Sequence, residues 1–150
     1  MIIISHRANL YGPDLELENT SIGIRIALEL GFDVEIDVWN IHGAYYLGHD
    51  EPKEKIDKKF LLNDKLWCHA KNIDSMEAMI KDKINHFFYH DKDLFTITSK
   101  NFPIAHCDIQ TENTISVIKN KPVDTPKTKL GIMTDYPIDW KNFLIANNLD

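Results

Sequence analysis

Residues 33–52 read DVEIDVWNIHGAYYLGHDEP and begin with a strict alternation of two residue types. From position 33 to 38, the odd positions carry carboxylates and the even positions carry apolar side chains. Successive side chains of a β-strand point to opposite faces, so the pattern predicts a strand with one acidic and one apolar face. The acidic face carries Asp33, Glu35 and Asp37, and the apolar face carries Val34, Ile36 and Val38. A tight turn at NIHG (40–43) and a second strand over AYYLGHD (44–50) are predicted to follow.

Two elements are predicted before this stretch. The β-branched run MIIIS (1–5) predicts a buried strand that leads into a loop. A helix is predicted over residues 20–30, with Asn19 or Thr20 as its N-cap and Gly31 at the C-cap. The apolar stripe of this helix is predicted from its helical spacing to be Ile22, Ile26 and Leu30.

Further elements follow residue 50. The charged segment 51–60 (EPKEKIDKKF) is interpreted as a connection without a core face, and KLWCHAKN (65–72) as a third strand. A second helix is predicted over 74–84, capped by Asp74 or Ser75. Its apolar stripe is Met76, Met79, Ile80 and Ile84, which is more typical of core packing than of ligand binding.

The second half of the chain contains several short strand-like pieces. Those pieces are HFFYHD (86–91), LFTIT (94–98) and FPIAHCDI (102–109), with Pro103 limiting how central the last one is. A helix is favoured over a strand at 111–121. After the linker 121–129, a strand at 130–137 and a closing amphipathic helix at 138–148 are predicted. This alternation indicates one α/β domain over residues 1–150 with a largely parallel sheet.

Composition narrows the class of protein. The chain has 150 residues, 43% of them apolar, which suits a single core. With 17 basic and 23 acidic residues the net charge is −6, so we do not expect nucleic acid as a partner. We see no signal peptide and no membrane span, and expect a cytoplasmic protein without stable membrane insertion. Cys68 and Cys107 are interpreted as two half-buried thiols rather than as a metal-binding pair.

The acidic face of the strand at 33–38 suggests a site for a divalent cation. In a sheet closed into a barrel, this face would point into the lumen, where desolvation and mutual repulsion make unpaired carboxylates costly. A divalent cation at the open end would compensate them, and Glu35 and Asp37 are its natural ligands. The alternative is a polar strand face that simply meets water.

Ionisable residues at neighbouring strand ends favour a bound cation over a polar face that meets water. SHR (5–7) ends the first strand and GHD (48–50) ends the strand after the turn, and enzyme sites of parallel barrels are built from such ends. A metal, two histidines and an arginine together form a set suited to cleaving phosphate esters.

The order of these motifs resembles the glycerophosphodiester phosphodiesterase family. A His-Arg pair, a Glu-Asn-Thr, a Glu-x-Asp and a His-Asp follow one another within residues 3–50, and GIMTDYP (131–137) is similar to the motif of the family's last strand. The resemblance implies a TIM barrel and cleavage of a small phosphodiester. In that mechanism a neighbouring glycerol hydroxyl attacks phosphorus, and water then opens the cyclic phosphate.

The resemblance also assigns roles to individual residues. It implies that two histidines act as general acid and base, that one arginine and neighbouring polar residues bind substrate, and that carboxylates hold Ca²⁺ or Mg²⁺. The general acid and base would be His6 and His49. Substrate would be bound by Arg7, Glu18 and Asn19, and the metal would be held by Glu35 and Asp37.

The chain departs from the family pattern in three places. Ala8 replaces the glycine that usually follows His-Arg. The family's Glu-x-Lys strand corresponds to HAK, so that His69 takes the position of the third metal ligand and Lys71 that of the substrate-binding lysine. An imidazole in place of a carboxylate would move the metal preference toward Mn²⁺ or Zn²⁺. Because a full barrel needs about 250 residues, we expect a minimal barrel with reduced outer helices.

Other functions and roles remain open from sequence alone. A phospholipase that acts on lysolipid or inositol headgroups would need an apolar rim, and the sequence shows no such insertion. A degenerate barrel would bind phosphodiesters or a partner without turnover. Asp135 supports the site or caps the next turn, and the oligomeric state is undetermined. Several histidines are interpreted as structural or as part of a solvated loop: His42, His86, His106 and the HDKD segment at 90–93.

Overall fold

The computed structural model describes residues 1–106 and 109–149, so Cys107 lies outside the described residues. Ten strands, three α-helices and one short 3₁₀ helix occur within the described ranges. In chain order they are β1 (Ile2–His6), α1 (Ser21–Glu29), β2 (Asp33–Ile41), β3 (Ala44–Leu47), β4 (Glu54–Ile56), the 3₁₀ helix (Lys58–Leu62), β5 (Leu66–Ala70), α2 (Ile73–Lys81), β6 (Phe87–Phe88), β7 (Phe95–Ile97), β8 (Pro103–Ala105), β9 (Ile115–Val117), β10 (Gly131–Thr134) and α3 (Pro137–Ala146).

The strands form one mixed sheet with a parallel centre. β1 lies between β10 and β2, and β2 pairs with β5 along its first half. Six pairings are parallel, and the antiparallel ones are β2–β3, β3–β4 and β7–β8. The described residues thus form a mixed α/β structure whose ten-stranded sheet is mixed rather than wholly parallel. Because the central strands are parallel, their C-terminal ends meet at one edge of the sheet.

The two ends of this sheet approach each other. The Ser99 N–H donates to the Phe87 carbonyl (2.8 Å), and Thr96 Oγ1 donates to the Tyr89 carbonyl (2.8 Å), which connects the β7 region to β6. In the described ranges no registered ladder joins β6 to β7. One buried cluster consists of apolar side chains from six strands: Ile4, Trp67, Phe88, Ile104, Ile115, Val117 and Met133. Closure into a barrel stays a prediction.

The two faces of β2 are both buried, as the alternation predicts. Val34, Ile36 and Val38 are completely buried and pack with side chains from α1 and α2. On the opposite face Glu35 is 2% exposed and Asp37 is 1% exposed. The alternative in which this polar face meets water is therefore wrong.

The apolar face of α1 differs from the prediction. Ile22 is 65% exposed and Ile26 is 38% exposed, although Thr20 caps the helix as expected through a hydrogen bond from the Gly23 N–H. A Cβ at Gly23 would lie 2.4 Å from the Leu17 carbonyl oxygen. A side chain at position 23 would therefore collide with the turn that precedes the helix. Leu30 is also exposed, and the buried residues of α1 are Gly23, Ile24 and Ala27.

Three other local predictions were wrong. Segment 111–121 forms strand β9 rather than a helix, because its Ile115–Val117 core is buried between β8 and β10. The cap of α2 is Asn72, which forms a reciprocal capping box with Ser75. The charged segment 51–60 contains β4 and the start of the 3₁₀ helix instead of an irregular connection.

Cys68 is completely buried rather than half-buried. None of the helices in the described residues is both long and apolar enough to cross a membrane.

His86 lies in the core, away from the edge where the central strands end. It is 2% exposed, its Nε2 lies 2.8 Å from Thr98 Oγ1, and its ring centroid lies 4.1 Å from that of Trp67. Burial, with a smaller effect of the Lys100 charge, lowers the pKa of His86 to about 4. The imidazole is therefore neutral in the folded protein at pH 7.

This burial predicts an acid-sensitive contribution to stability. Between pH 6.5 and 4 the unfolded chain binds a proton at His86 that the folded chain does not, so the free energy of unfolding falls as pH falls. The contribution lost by pH 4 is about 3 kcal/mol. Urea unfolding from pH 7 to 4 should show a shallower pH dependence for His86→Phe than for the wild type. Equal pH dependences would contradict the assignment.

Candidate functional site

A cavity of about 440 Å³ opens at the edge where the central strands end. The parallel strands β1, β2 and β5 carry polar residues at this edge, and β3 is followed by the segment that carries His49. The structure brings seven of the residues predicted from the sequence to this cavity. They are His6, Arg7, Glu35, Asp37, His49, His69 and Lys71.

Asp37 is held in place by Asn19. The Asn19 side chain donates Nδ2–H to Asp37 Oδ2 and accepts the Asp37 backbone N–H at Oδ1, both at 2.8 Å. Asn19 has φ of 53°, a left-handed conformation that asparagine tolerates better than most residues. Asn19 thus positions the carboxylate, and it is not among the residues that line the cavity.

Three basic side chains surround the same carboxylate. His69 Nδ1 lies 3.1 Å from Asp37 Oδ1, Lys71 Nζ lies 3.3 Å from it, and Arg7 Nε lies 3.4 Å from Oδ2. Burial acts to raise the pKa of Asp37, but His69, Lys71 and Arg7 together hold it well below its usual value. The buried acid is therefore ionised and compensated by neighbouring side chains.

Glu35 lies beside Asp37 and links β1 to β5. Its Oε2 accepts the Arg7 backbone N–H (3.2 Å) and lies 3.8 Å from His6 Nε2, while Oε1 lies 3.7 Å from His69 Nδ1. The Glu35 carboxylate thus lies near one histidine on each flanking strand, His6 on β1 and His69 on β5.

His6 is oriented by Asp135, which comes just after β10. His6 Nδ1 lies 2.8 Å from Asp135 Oδ1, and Asn9 Nδ2 donates to the same oxygen at 2.8 Å. Burial alone would lower the pKa of His6, but the hydrogen bond to Asp135 and the Glu35 charge raise it overall. Of the two roles considered for Asp135, the structure shows a contact with the site, and α3 begins without a side-chain cap.

His69 is fixed from both sides of its ring. Its Nε2–H donates to the His90 carbonyl oxygen (2.9 Å), and the ring stacks on Phe88 at 4.9 Å between centroids. This leaves Nδ1 facing Glu35 and Asp37. Burial acts to lower the pKa of His69, but the adjacent carboxylates of Asp37 and Glu35 raise it to about 9.

The donor set on this face fits a divalent cation. One ligand atom from each of Glu35, Asp37 and His69 lies within 4.8 Å of the others. The backbone acceptor at His69 Nε2 fixes the tautomer in which Nδ1 carries the lone pair that a metal would take in place of a proton. Two carboxylates and one imidazole suit Mn²⁺ or Zn²⁺ better than an all-oxygen site would.

His49 lies at the rim of the cavity. Its side chain is 35% exposed, and its Nδ1 lies 2.7 Å from Asp50 Oδ1. The preceding Gly48 has φ of 149°, and a Cβ there would lie 2.0 Å from the Glu51 carbonyl oxygen. Trp39 Nε1–H donates to the Gly48 carbonyl (2.7 Å), which braces this turn.

Glu18 lies behind the cavity wall rather than in it. Its Oε1 lies 3.8 Å from Arg7 Nη1, and its Oε2 is 3.5 Å from Asn9 Nδ2. The substrate-binding role predicted for Glu18 would therefore act through Arg7. The position of Asn9 was not predicted, since nothing in a single Asn three residues after His6 indicates a partner 126 positions away.

The comparisons with known proteins add no relative. No protein-family model, no curated protein and no solved structure matches the chain. Interpretation of the site therefore depends on its own geometry and on the motif resemblance.

The contact between His6 and Asp135 predicts a pKa change. Asp135→Asn removes the negative charge that raises the His6 pKa, so that pKa should fall. The ring resonances of His6, followed by NMR across a pH titration, measure the change, and Asp139→Asn serves as a control outside the cavity. An unchanged His6 pKa in Asp135→Asn would contradict the pairing.

Proposed function

We propose that the protein is a metal-dependent phosphodiester hydrolase that cleaves a glycerophosphodiester into an alcohol and glycerol phosphate. The observation that carries the proposal is the convergence of His6 and His49 on one cavity with the Glu35, Asp37 and His69 group. Two proton-transfer groups and a candidate metal site are the components that this reaction needs.

Arg7 and Lys71 would bind the phosphate. Both lie in the cavity wall, and both have a nitrogen within 3.4 Å of Asp37. A cation held by Glu35, Asp37 and His69 would supply Lewis-acid stabilisation of charge on the phosphoryl oxygens. Arg7 and Lys71 would add fixed positive charge in a site that is partly shielded from water.

His6 is suited to act as the general base. The Asp135 carboxylate holds the proton on Nδ1, so Nε2 is the nitrogen that accepts the proton of the neighbouring glycerol hydroxyl. The hydroxyl oxygen forms a bond to phosphorus, and the bond from phosphorus to the alcohol oxygen breaks. The product of this step is a cyclic phosphate.

His49 is suited to act as the general acid. It lies at the rim, where the leaving alcohol would depart, and its Nδ1 is 2.7 Å from Asp50 Oδ1, so Nε2 is free to face the alcohol oxygen. His49 donates a proton to the alcohol oxygen and then takes one from the water that opens the cyclic phosphate, while His6 returns its proton. Both histidines end the cycle in their starting states.

A specific observation favours a second candidate, a phospholipase that acts on lysolipids. Tyr11 is 72% exposed and Leu15 is 85% exposed on the loop that follows β1, which also carries Arg7. These side chains line a different groove from the cavity that holds His6 and His49, but they belong to the same loop as Arg7 and expose apolar surface there. Preferential turnover of a lysophospholipid over the corresponding glycerophosphodiester would favour this candidate.

The test is release of glycerol phosphate from a panel of glycerophosphodiesters, with metal-free, Mg²⁺, Ca²⁺, Mn²⁺ and Zn²⁺ samples. We expect metal-dependent turnover, with Mn²⁺ or Zn²⁺ more effective than Ca²⁺ or Mg²⁺. His49→Ala should lower kcat by roughly 10²- to 10⁴-fold, which is the usual contribution of a general acid or base. His42→Asn is the matched control, because His42 is exposed outside the cavity and asparagine tolerates its φ of 50°.

Two results would contradict the proposal. Turnover that survives in His49→Ala at the wild-type rate would remove the acid–base assignment. An inactive wild-type protein that binds a divalent metal by calorimetry would favour the alternative in which the fold binds phosphodiesters without cleaving them. In that case the basic groups around Asp37 would serve binding alone.

A further inference from the structure

One part of the cavity wall has no role in the reaction described above. It is formed by residues that follow β6, β8 and β9. The polar residues of this wall are His90, Asp91, His106 and Lys119, and they line the same cavity as His6 and His49. We refer to these four residues as the outer wall.

His106 offers the outer wall an unused hydrogen-bonding atom. Its Nε2 is shielded from solvent and has no hydrogen-bond partner among the residues that the structure describes. Polar atoms buried in proteins are nearly always paired, because an unpaired one loses its hydrogen bonds to water without replacement. A ligand group in the cavity would satisfy this nitrogen.

The His106 ring is also held rigidly. It stacks on His90 with 3.3 Å between ring centroids and 13° between ring planes, and His90 Nε2–H donates to the Asp93 carbonyl. Burial, followed by the nearby His90, His69, His6 and Lys119, lowers the pKa of His106 to about 4. The ring is therefore neutral near pH 7 and presents a hydrogen-bonding nitrogen rather than a charge.

The charges of the four described outer-wall residues balance. Lys119 is the basic residue of this wall, Asp91 is the acidic one, and both are exposed. A wall of this kind attracts neither a cationic nor an anionic group strongly, but its ammonium, carboxylate and imidazole groups all form hydrogen bonds.

An aromatic cage is not part of this cavity. Among the described lining residues Phe88 is the one phenylalanine, tyrosine or tryptophan, and its ring face is stacked on His69. Quaternary ammonium groups are typically bound by several aromatic faces. The cavity is thus suited to hydroxyl groups rather than to a choline-like headgroup.

We propose that the outer wall is the subsite for the alcohol moiety and that it selects a hydroxyl-rich polyol, such as glycerol or inositol, over a quaternary ammonium alcohol. The proposal rests on the proposed function, because it identifies which glycerophosphodiesters that reaction would use. His106 Nε2 would pair with one hydroxyl, and Lys119 and Asp91 would bind others.

The test compares glycerophosphoglycerol with glycerophosphocholine. Wild-type kcat/KM should favour glycerophosphoglycerol by about 10-fold or more, since polar sites discriminate strongly against groups that leave them unpaired. His106→Phe keeps the ring stack but removes both nitrogens, and it should reduce that preference about tenfold, mainly through KM. His106→Asn should restore part of the preference, and Lys119→Met tests the exposed side of the wall.

A binding measurement separates this proposal from the proposed function. His49→Ala, in which turnover should be slow enough for an equilibrium measurement, is titrated with each diester by calorimetry. If no diester is cleaved by the wild type, the proposed function fails, but tighter binding of glycerophosphoglycerol would still support the subsite. Equal or tighter binding of glycerophosphocholine would overturn the subsite, and so would equal weakening of both diesters by His106→Phe. If circular dichroism shows that His106→Phe does not fold, the preference of Lys119→Met for glycerophosphoglycerol over glycerophosphocholine decides in its place. A preference equal to that of the wild type would then overturn the subsite.

Discussion

Asp37 has a carboxylate that is 1% exposed, and basic side chains from two flanking segments converge on it. Asn19 holds both its backbone N–H and one of its oxygens, while Arg7, His69 and Lys71 lie within 3.4 Å of its oxygens. A buried charge without partners would be strongly destabilising. The positions of the four side chains that contact Asp37 therefore depend on how this one charge is compensated.

This compensation connects the fold to the proposed chemistry. The apolar face of β2 packs with α1 and α2, so the opposite face has to place Glu35 and Asp37 between β1 and β5. The sequence suggested a cation as the simplest compensation for these acids. The structure adds a second one, in which His69 carries a proton toward the carboxylates. The same geometry suits a metal, since Nδ1 would exchange that proton for the ion.

The periodicity of residues within a short stretch predicted the elements whose burial follows from that periodicity alone. The alternation at 33–38 correctly indicated both faces of β2, because a two-residue period maps directly onto a strand. The exposed face of α1 was not predicted, because the buried face carries Gly23, Ile24 and Ala27 rather than the larger side chains of Ile22 and Ile26. Strand β9 was predicted as a helix because its burial depends on β8 and β10. Contacts between residues far apart in the chain, such as Asn9 with Asp135, leave no pattern in the neighbouring sequence from which they could be predicted.

The most direct test of the account is a crystal structure of the protein soaked in Mn²⁺, with the ion located by its anomalous scattering. The account predicts one ion among Glu35, Asp37 and His69, bound through His69 Nδ1, with the His69 hydrogen bond to the His90 carbonyl retained. An ion bound elsewhere, or a His69 ring that still donates Nδ1–H to Asp37 at saturating Mn²⁺, would contradict it.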